Sequence, residues 1–180
     1  GGTGSNSTSL LEDDYVSQLF IGSTHDHILF ITNAGKAYWV KVHEIPEASK
    51  ASRGTHIKSM IAIGADEEIT TVVTLKEFSD EQYLFMTTMN GVVKKVKTSE
   101  FSNAKTRGII GLKLNAGDKL ISAIPTDGNS EVLLVSRRGK ALRFTEEDVR
   151  SMGRASCGIK GLKLAEGDEV AGAIKVIPDE

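Results

Sequence analysis

A glycine-marked block of sequence recurs four times along this chain of 180 residues. The glycines that open the four copies are separated by 50, 54 and 50 residues, and they are Gly4, Gly54, Gly108 and Gly158. Three copies carry an aspartate ten residues after the glycine and an apolar residue two positions later. A fixed period of about fifty residues is typical of a repeat protein, so the period constrains the fold more than any local motif does.

Between these blocks lies a second recurrent unit with the pattern of a β-hairpin. Its copies begin at Ile28, Leu84 and Val132. In each copy two runs with strand character flank a short turn, and the turns end in Gly35, Gly91 and Gly139. Such a turn needs positive φ at its last residue, which glycine adopts without steric cost. Ten residues later an acidic residue precedes Ile45, Phe101 or Val149, which predicts a short turn that packs one apolar side chain beneath the sheet.

The scarcity of long 3.6-residue periodicity predicts an all-β protein. A unit of roughly four short strands cannot bury both faces of its sheet alone, and radial stacking of such units gives propeller-like blades. We expect a partial propeller of about three to four blades within a longer repeat domain. The sequence repeats span approximately residues 4–53, 54–107 and 108–157, and residues 158–180 open a further one. We therefore expect an open arc, whose terminal strands are partly unpaired or find partners in another chain.

Composition limits the function classes. A hydrophobic content of 39% is ordinary for a globular protein, no run approaches membrane-spanning length, and no secretory leader opens the chain. The single cysteine, Cys157, cannot form an internal disulfide, which fits a reducing compartment. We recognise no paired carboxylates, catalytic triad or metal cluster in the sequence. The expectation is a cytoplasmic, non-catalytic chain without metal or cofactor and with no membrane partner.

The distribution of charge points to a different conclusion from the net charge. A formal net charge of −2 argues weakly against nucleic-acid binding, yet residues 32–60, 89–113 and 136–163 hold 19 of the 22 Lys and Arg and only 6 of the 24 Asp and Glu. Most charge runs are simply solvated faces, but recurrence in phase with the repeat favours a functional interpretation. Stacked repeats would align these positions as a cationic track along one rim, suited to a long polyanion such as duplex DNA. The candidate DNA-binding residues are Lys36, Lys41, Arg53, Lys58, Lys94, Lys95, Lys97, Lys105, Arg107, Arg137, Arg138, Lys140, Arg143, Arg154 and Lys160.

Several conspicuous residues also have structural interpretations. Trp39 could lie against a DNA sugar, but partial burial against the next blade is favoured. His25 and His27 lack further ligands nearby, so a strand-entry turn explains them better than a metal site. The Gly-Asp pairs at 117–118 and 167–168 are interpreted as turn chemistry and not as calcium ligands.

Three stretches carry a specific resemblance. They are THDHILFITNAGKAYWVKVHEIPEASKASRG (24–54), MNGVVKKVKTSEF (89–101) and SRRGKALRFTEEDVRSMGRASCGIKGLKLAEGD (136–168). Together they resemble successive blades of the C-terminal domain of bacterial type IIA topoisomerase A subunits, among which the DNA gyrase A subunit is the most similar. The resemblance implies a β-pinwheel whose blades exchange strands and whose basic perimeter bends and wraps duplex DNA in support of ATP-dependent negative supercoiling. It also implies two partners, the rest of the gyrase A subunit plus the gyrase B subunit, together with a bacterial, nucleoid-associated location.

The same family carries a short basic, glycine-rich box that reads like QRRGGKG. Only Gly1, Gly2, Thr3 and Gly4 match it, with Thr3 at the position where the box usually has lysine. These residues form a partial gyrase box, either truncated or degenerate. Two alternatives stay open from the sequence: the C-terminal domain of the topoisomerase IV A subunit, or a β-propeller that binds a protein partner through its loops.

Overall fold

The computed structural model describes residues 27–45 and 57–177. These residues form eleven strands, one short helix and three 3₁₀ turns. In chain order the strands are β1 (His27–Thr32), β2 (Lys36–Lys41), β3 (Ile69–Leu75), β4 (Tyr83–Thr88), β5 (Val92–Lys97), β6 (Ile109–Ile110), β7 (Leu120–Thr126), β8 (Glu131–Ser136), β9 (Ala141–Thr145), β10 (Ile159–Lys160) and β11 (Val170–Val176). The helix α1 is Ile57–Met60, and the 3₁₀ turns are Val42–Glu44, Thr98–Phe101 and Glu146–Asp148.

The strands form three antiparallel sheets that exchange strands with one another. Their orders are β3-β1-β2-β6, β10-β5-β4-β7 and β11-β8-β9. Strand β6 follows the second hairpin in sequence but pairs with β2 of the first sheet, and β10 follows the third hairpin but pairs with β5 of the second. Each of these short strands is therefore donated to the preceding blade. The predicted all-β, propeller-like fold is confirmed.

The hairpin grammar of the sequence holds in each blade. The turn glycines Gly35, Gly91 and Gly139 have φ values of 82°, 90° and 92°, as the loop pattern predicts. A 3₁₀ turn follows each hairpin, and it buries the expected apolar side chain in or directly after it: Ile45, Phe101 and Val149. Both local predictions are confirmed.

The core lies between the sheets. Leu29 and Ile31 of the first sheet pack with Leu84 and Met86 of the second. The opposite face of the second sheet packs on Val132 and Leu134 of the third in the same way. The first sheet's outward face has a different cover, because Ile57 and Ile61, in and beside α1, pack against it.

The order of contacts distinguishes an inner from an outer edge. Strands β3 and β7 contact each other, as do β7 and β11, so these strands line the inside of the arc. The outer edges are the donated strands β6 and β10 and, in the third sheet, β9. Among the described residues the outer side of β9 pairs with no strand, in agreement with the expected open arc. None of the described helices is long and apolar enough to cross a membrane.

Candidate nucleic-acid interface

Two equivalent segments carry most of the basic residues on the outer edge. The first rim segment is residues 102–113, and the second is residues 150–163. Each runs from the 3₁₀ turn of one blade to the strand donated to the preceding blade. Gly108 and Gly158 have φ values of 83° and 84°, and a Cβ atom on Gly108 would overlap the Tyr38 ring. The recurring glycine therefore lets each rim segment lie directly against the strand beneath it.

Trp39 of the first blade holds the first rim segment. The indole Nε1 donates to the Phe101 carbonyl at 2.9 Å, and the Trp39 backbone amide donates to the Lys105 carbonyl at 2.8 Å. The indole is buried against the second blade, which confirms the structural interpretation of this residue. The segment it holds exposes Lys105, Arg107 and Lys113 to solvent.

Buried lysines hold the second rim segment. Lys94 is 0% exposed, and its Nζ donates to the carbonyls of Gly111, Arg154 and Ser156 at 2.9, 2.8 and 2.8 Å. Lys95 is 7% exposed, and its Nζ donates to the Glu146 carbonyl at 3.0 Å. The same ammonium lies 3.9 Å from a carboxylate oxygen of Glu146 and 4.8 Å from the centre of the Tyr83 ring.

The prediction that Lys94 and Lys95 contact DNA phosphates is therefore wrong. Their ammonium groups point into the protein, and backbone carbonyls take their hydrogen bonds. Burial lowers the pKa of Lys94 to about 8; the nearby Arg154 lowers it further, while Cys157 and Glu100 act in the opposite direction. The signal that could have revealed this is positional, because Lys94 and Lys95 occupy the repeat positions of Tyr38 and Trp39, which face the next blade.

The third hairpin presents a separate basic cluster of Arg137, Arg138 and Lys140, all exposed. Arg137 forms an ion pair with Glu169 at 2.7 Å, and the Lys140 ammonium donates to the Lys163 carbonyl. Among the described residues no donated strand covers this hairpin.

Asp168 accepts hydrogen bonds from the backbone amides of Arg138 and Glu169. Asp118 does the same for Asn90 and Lys119 in the preceding blade. The Gly-Asp pairs are therefore turn elements that brace the neighbouring hairpin.

The remaining candidates lie in different settings. Lys41, Lys58 and Lys160 are exposed, whereas Lys36, Lys97 and Arg154 are half-buried. Arg143 pairs with Glu131 at the free edge of the third blade. Lys113 and Lys163 are exposed in the rim segments although they were not among the candidates. Arg53 and the partial box Gly1, Gly2, Thr3 and Gly4 lie outside the described residues.

Within residues 27–45 and 57–177, no group of three or more His, Cys, Asp or Glu side chains is arranged to hold a metal ion. His27 packs its ring 4.8 Å from that of Trp39 and 4.7 Å from that of Phe78. Its place is therefore in the packing between the first two blades. His25, the other half of the considered pair, lies outside the described residues.

Comparison with known proteins agrees with this architecture. The family model described as DNA gyrase C-terminal domain, beta-propeller, matches residues 26–76, 82–127 and 130–177, which correspond to the three blades. The DNA gyrase A subunit of Treponema pallidum is 54% identical over 156 residues, covering 87% of this chain and 19% of that protein. Its counterpart in Escherichia coli K12 is 40% identical over 174 residues, covering 97% of this chain and 20% of that protein. The chain thus spans about a fifth of the length of these curated relatives.

Solved structures show the same likeness. A DNA gyrase A C-terminal domain superposes with a TM-score of 0.71 at 32% identity, covering 86% of this chain and 49% of that one. A C-terminal domain of DNA topoisomerase IV superposes with a TM-score of 0.79, also at 32% identity, covering 86% and 48%. With all three blades matched by the family model and with these relatives, the chain belongs to the family of DNA gyrase C-terminal domains.

Proposed function

We propose that this chain is a non-catalytic domain that binds duplex DNA along its basic outer rim and bends it, in support of negative supercoiling by a parent DNA gyrase. The observation that carries the proposal is the exposure of Lys105, Arg107 and Lys113 in one rim segment and of Lys160 and Lys163 in the next. These cations repeat with the blades, so one continuous duplex can contact both segments. Contacts of this kind go to phosphates and place the duplex without reading its bases.

The third hairpin extends the proposed surface. Arg137, Arg138 and Lys140 are exposed beyond the second rim segment, and the carbonyl of Lys163 in that segment accepts a hydrogen bond from Lys140. A duplex that follows the rim of an arc must curve. Smooth bending of 20–30 base pairs by 40–90° costs on the order of 1–6 kcal/mol, so several separate cationic patches are needed to hold the bend.

The first experiment measures phosphate contacts through their salt dependence. Replacing Lys105, Arg107 and Lys113 together by Gln removes exposed charge from the rim, and each lost phosphate contact lowers the logarithmic salt slope by about 0.9. We expect the slope of duplex affinity to flatten by roughly two units, with little change in sequence preference. The matched control replaces Lys76, Lys119 and Lys175, three exposed lysines outside the basic blocks, and should leave the slope unchanged.

Bending has its own readout. End-labelled duplexes long enough to span both rim segments and the third hairpin should bind more tightly than short ones, and energy transfer between their ends should increase on binding. Equal affinity for short and long duplexes, with a constant end-to-end distance, would contradict wrapping while leaving simple DNA binding intact.

In the parent enzyme the wrapped duplex would be presented to the rest of the gyrase A subunit, which works together with the gyrase B subunit. Strand cleavage and ATP use would take place outside this chain. The rim variant, placed in the full-length A subunit with its B partner, should therefore lose supercoiling while retaining relaxation of supercoiled DNA. Loss of both activities would point to a defect elsewhere in the assembly.

A further inference from the structure

The outer edge of β9 presents backbone hydrogen-bonding groups to solvent. The Ser136 amide donates to the Lys140 carbonyl at 2.8 Å, and Leu134 and Leu142 are directly opposite each other in the same ladder. Hydrogen-bonded pairs alternate along antiparallel strands, so Ala141 between them directs its N–H and C=O away from β8. Because β9 is the last strand of its sheet, these groups meet no strand within the described residues.

The equivalent edge is occupied in both other blades. Ala37 of β2 pairs with Ile109, and Val93 of β5 pairs with Ile159. The turn carbonyls are used in the same way: Gly35 accepts from the amides of Gly111 and Leu112, and Gly91 accepts from those of Gly161 and Leu162. In the third blade a Cβ atom on Gly139 would have no neighbour within 4 Å, so the corresponding carbonyl is uncovered.

The two donated segments share one sequence pattern, Gly-Ile-x-Gly-Leu, at residues 108–112 and 158–162. The first glycine has positive φ in both copies. The second has no room for a side chain, since a Cβ atom would lie 2.8 Å from Phe101 at Gly111 and 2.6 Å from Val93 at Gly161. The final leucines, Leu112 and Leu162, are 1% and 2% exposed between neighbouring blades.

The third blade also has apolar surface at the place where such a leucine would pack. Val135 is 36% exposed and Ile174 is 57% exposed, whereas Ile31, which precedes its turn glycine by the same four residues as Val135, is 0% exposed. Basic side chains flank the edge, with Lys140 on the turn and Arg143 on the strand. Their charges oppose the pairing of two β9 edges from two copies, as lysines on natural edge strands do.

We propose that the free edge of β9 binds an extended peptide segment of the pattern Gly-Ile-x-Gly-Leu by strand addition. The segment pairs with Lys140 and Ala141 and donates its second glycine and leucine amides to the Gly139 carbonyl. The leucine packs beside Val135. Backbone pairing supplies the affinity, and the requirement for two glycines and a leucine supplies the specificity.

A synthetic peptide tests this site without DNA. The probe is a fluorescein-labelled peptide of residues 107–114, RGIIGLKL, and its control is a peptide of the same composition in scrambled order. Anisotropy should show saturable binding of the native peptide with a stoichiometry of one, and at least tenfold weaker binding of the scrambled one. Equal binding of the two peptides would overturn the proposal, because charge alone would then explain the affinity.

Substitution at Ala141 locates the bound peptide. Ala141→Pro removes an outward N–H that β8 does not use, and proline is tolerated at such edge positions. Ala141→Val introduces the residue that stands at the equivalent position 93 and keeps the amide. The valine variant should bind the peptide as the wild type does, and the proline variant should lose at least tenfold in affinity with an unchanged unfolding midpoint.

A second copy of the chain is the competing occupant. Undiminished peptide binding by a folded Ala141→Pro variant would place the peptide elsewhere. A wild-type dimer in sedimentation that Ala141→Pro converts to monomer would assign the edge to self-association instead. Either result would overturn the proposal, whereas a monomer that takes up one peptide supports it.

Discussion

The two rim segments are equivalent in sequence position, yet different chemistry holds them in place. The first is held by an indole that is already neutral, together with the ring of Tyr38 beneath Gly108. The second is held by the ammonium groups of Lys94 and Lys95, which donate to four backbone carbonyls in all. The comparison shows that one structural task, holding a rim segment on the preceding blade, can be performed by aromatic packing or by buried cations.

Each solution has its own physical consequence. Tyr38 donates to Glu67, and burial together with that hydrogen bond raises the pKa of the phenol, so it stays neutral over the ordinary pH range. Lys94 keeps its charge at neutral pH at a desolvation cost, and the three carbonyls that it joins depend on it. The second junction should therefore be more sensitive to mutation and to pH than the first.

The largest expected effect is the loss of Lys94. Lys94→Met keeps the aliphatic stem but leaves three carbonyls without their partner, and each unsatisfied buried group costs about 1–3 kcal/mol. Because removal of the charge also relieves its desolvation, we expect a net loss of about 3 kcal/mol in the free energy of unfolding, measured by chemical denaturation. Lys113→Met, an exposed control, should change it by less than about 0.5 kcal/mol. A variant as stable as the wild type would show that the second rim segment does not need the ammonium.

Trp39→Phe should have a smaller effect on the first junction. The ring still packs between the blades, but the Phe101 carbonyl loses the indole N–H, which predicts a loss of about 1–2 kcal/mol. Hydrogen exchange should accelerate in the first rim segment, whose amides depend on this anchor, and stay unchanged in residues 150–156. Faster exchange in both segments would mean that the two junctions are coupled, contrary to the comparison.

The pH dependence of stability sharpens the contrast further. The pKa of Lys94 is about 8 in the folded protein and near its ordinary 10.5 when unfolded, so the unfolded chain holds more protons between these values. Stability contributed by this group is therefore fully present above pH 10.5 and lost as the pH falls through 8. Between pH 8 and 9.5 the free energy of unfolding of the wild type should rise relative to that of Lys94→Met. A constant difference between the two proteins across this range would contradict a depressed pKa.

The smallest effect is expected at Arg143, which occupies the position of Trp39 and Lys95 in the third blade. There it pairs with Glu131 at the surface and anchors no following segment within the described residues. Exposed ion pairs contribute about 0–1 kcal/mol, so Arg143→Ala should barely shift the unfolding midpoint. A loss comparable to that of Trp39→Phe would indicate that Arg143 already holds a segment that the comparison assigns only to the first two blades.

The repeat pattern predicted much of the local structure. The turn glycines, the apolar residue buried at each 3₁₀ turn and the all-β character all follow from backbone sterics and from strand-like sequence runs, which act over a few residues. The candidate interface was only partly predictable. A lysine in a strand looks the same in sequence whether its ammonium faces water, as at Lys41, or faces backbone carbonyls, as at Lys94.

By itself the sequence therefore determined the fifty-residue period, the hairpins and the in-phase recurrence of basic residues, because each depends on local chemistry that repeats along the chain. Only the tertiary structure decided which cations are exposed and which strands are exchanged. The pairing of β6 with β2 and of β10 with β5 joins residues some seventy positions apart. Those pairings bring the carbonyls of Gly111 and Ser156 around Lys94, and this contact between distant segments turns a predicted DNA ligand into a buried anchor.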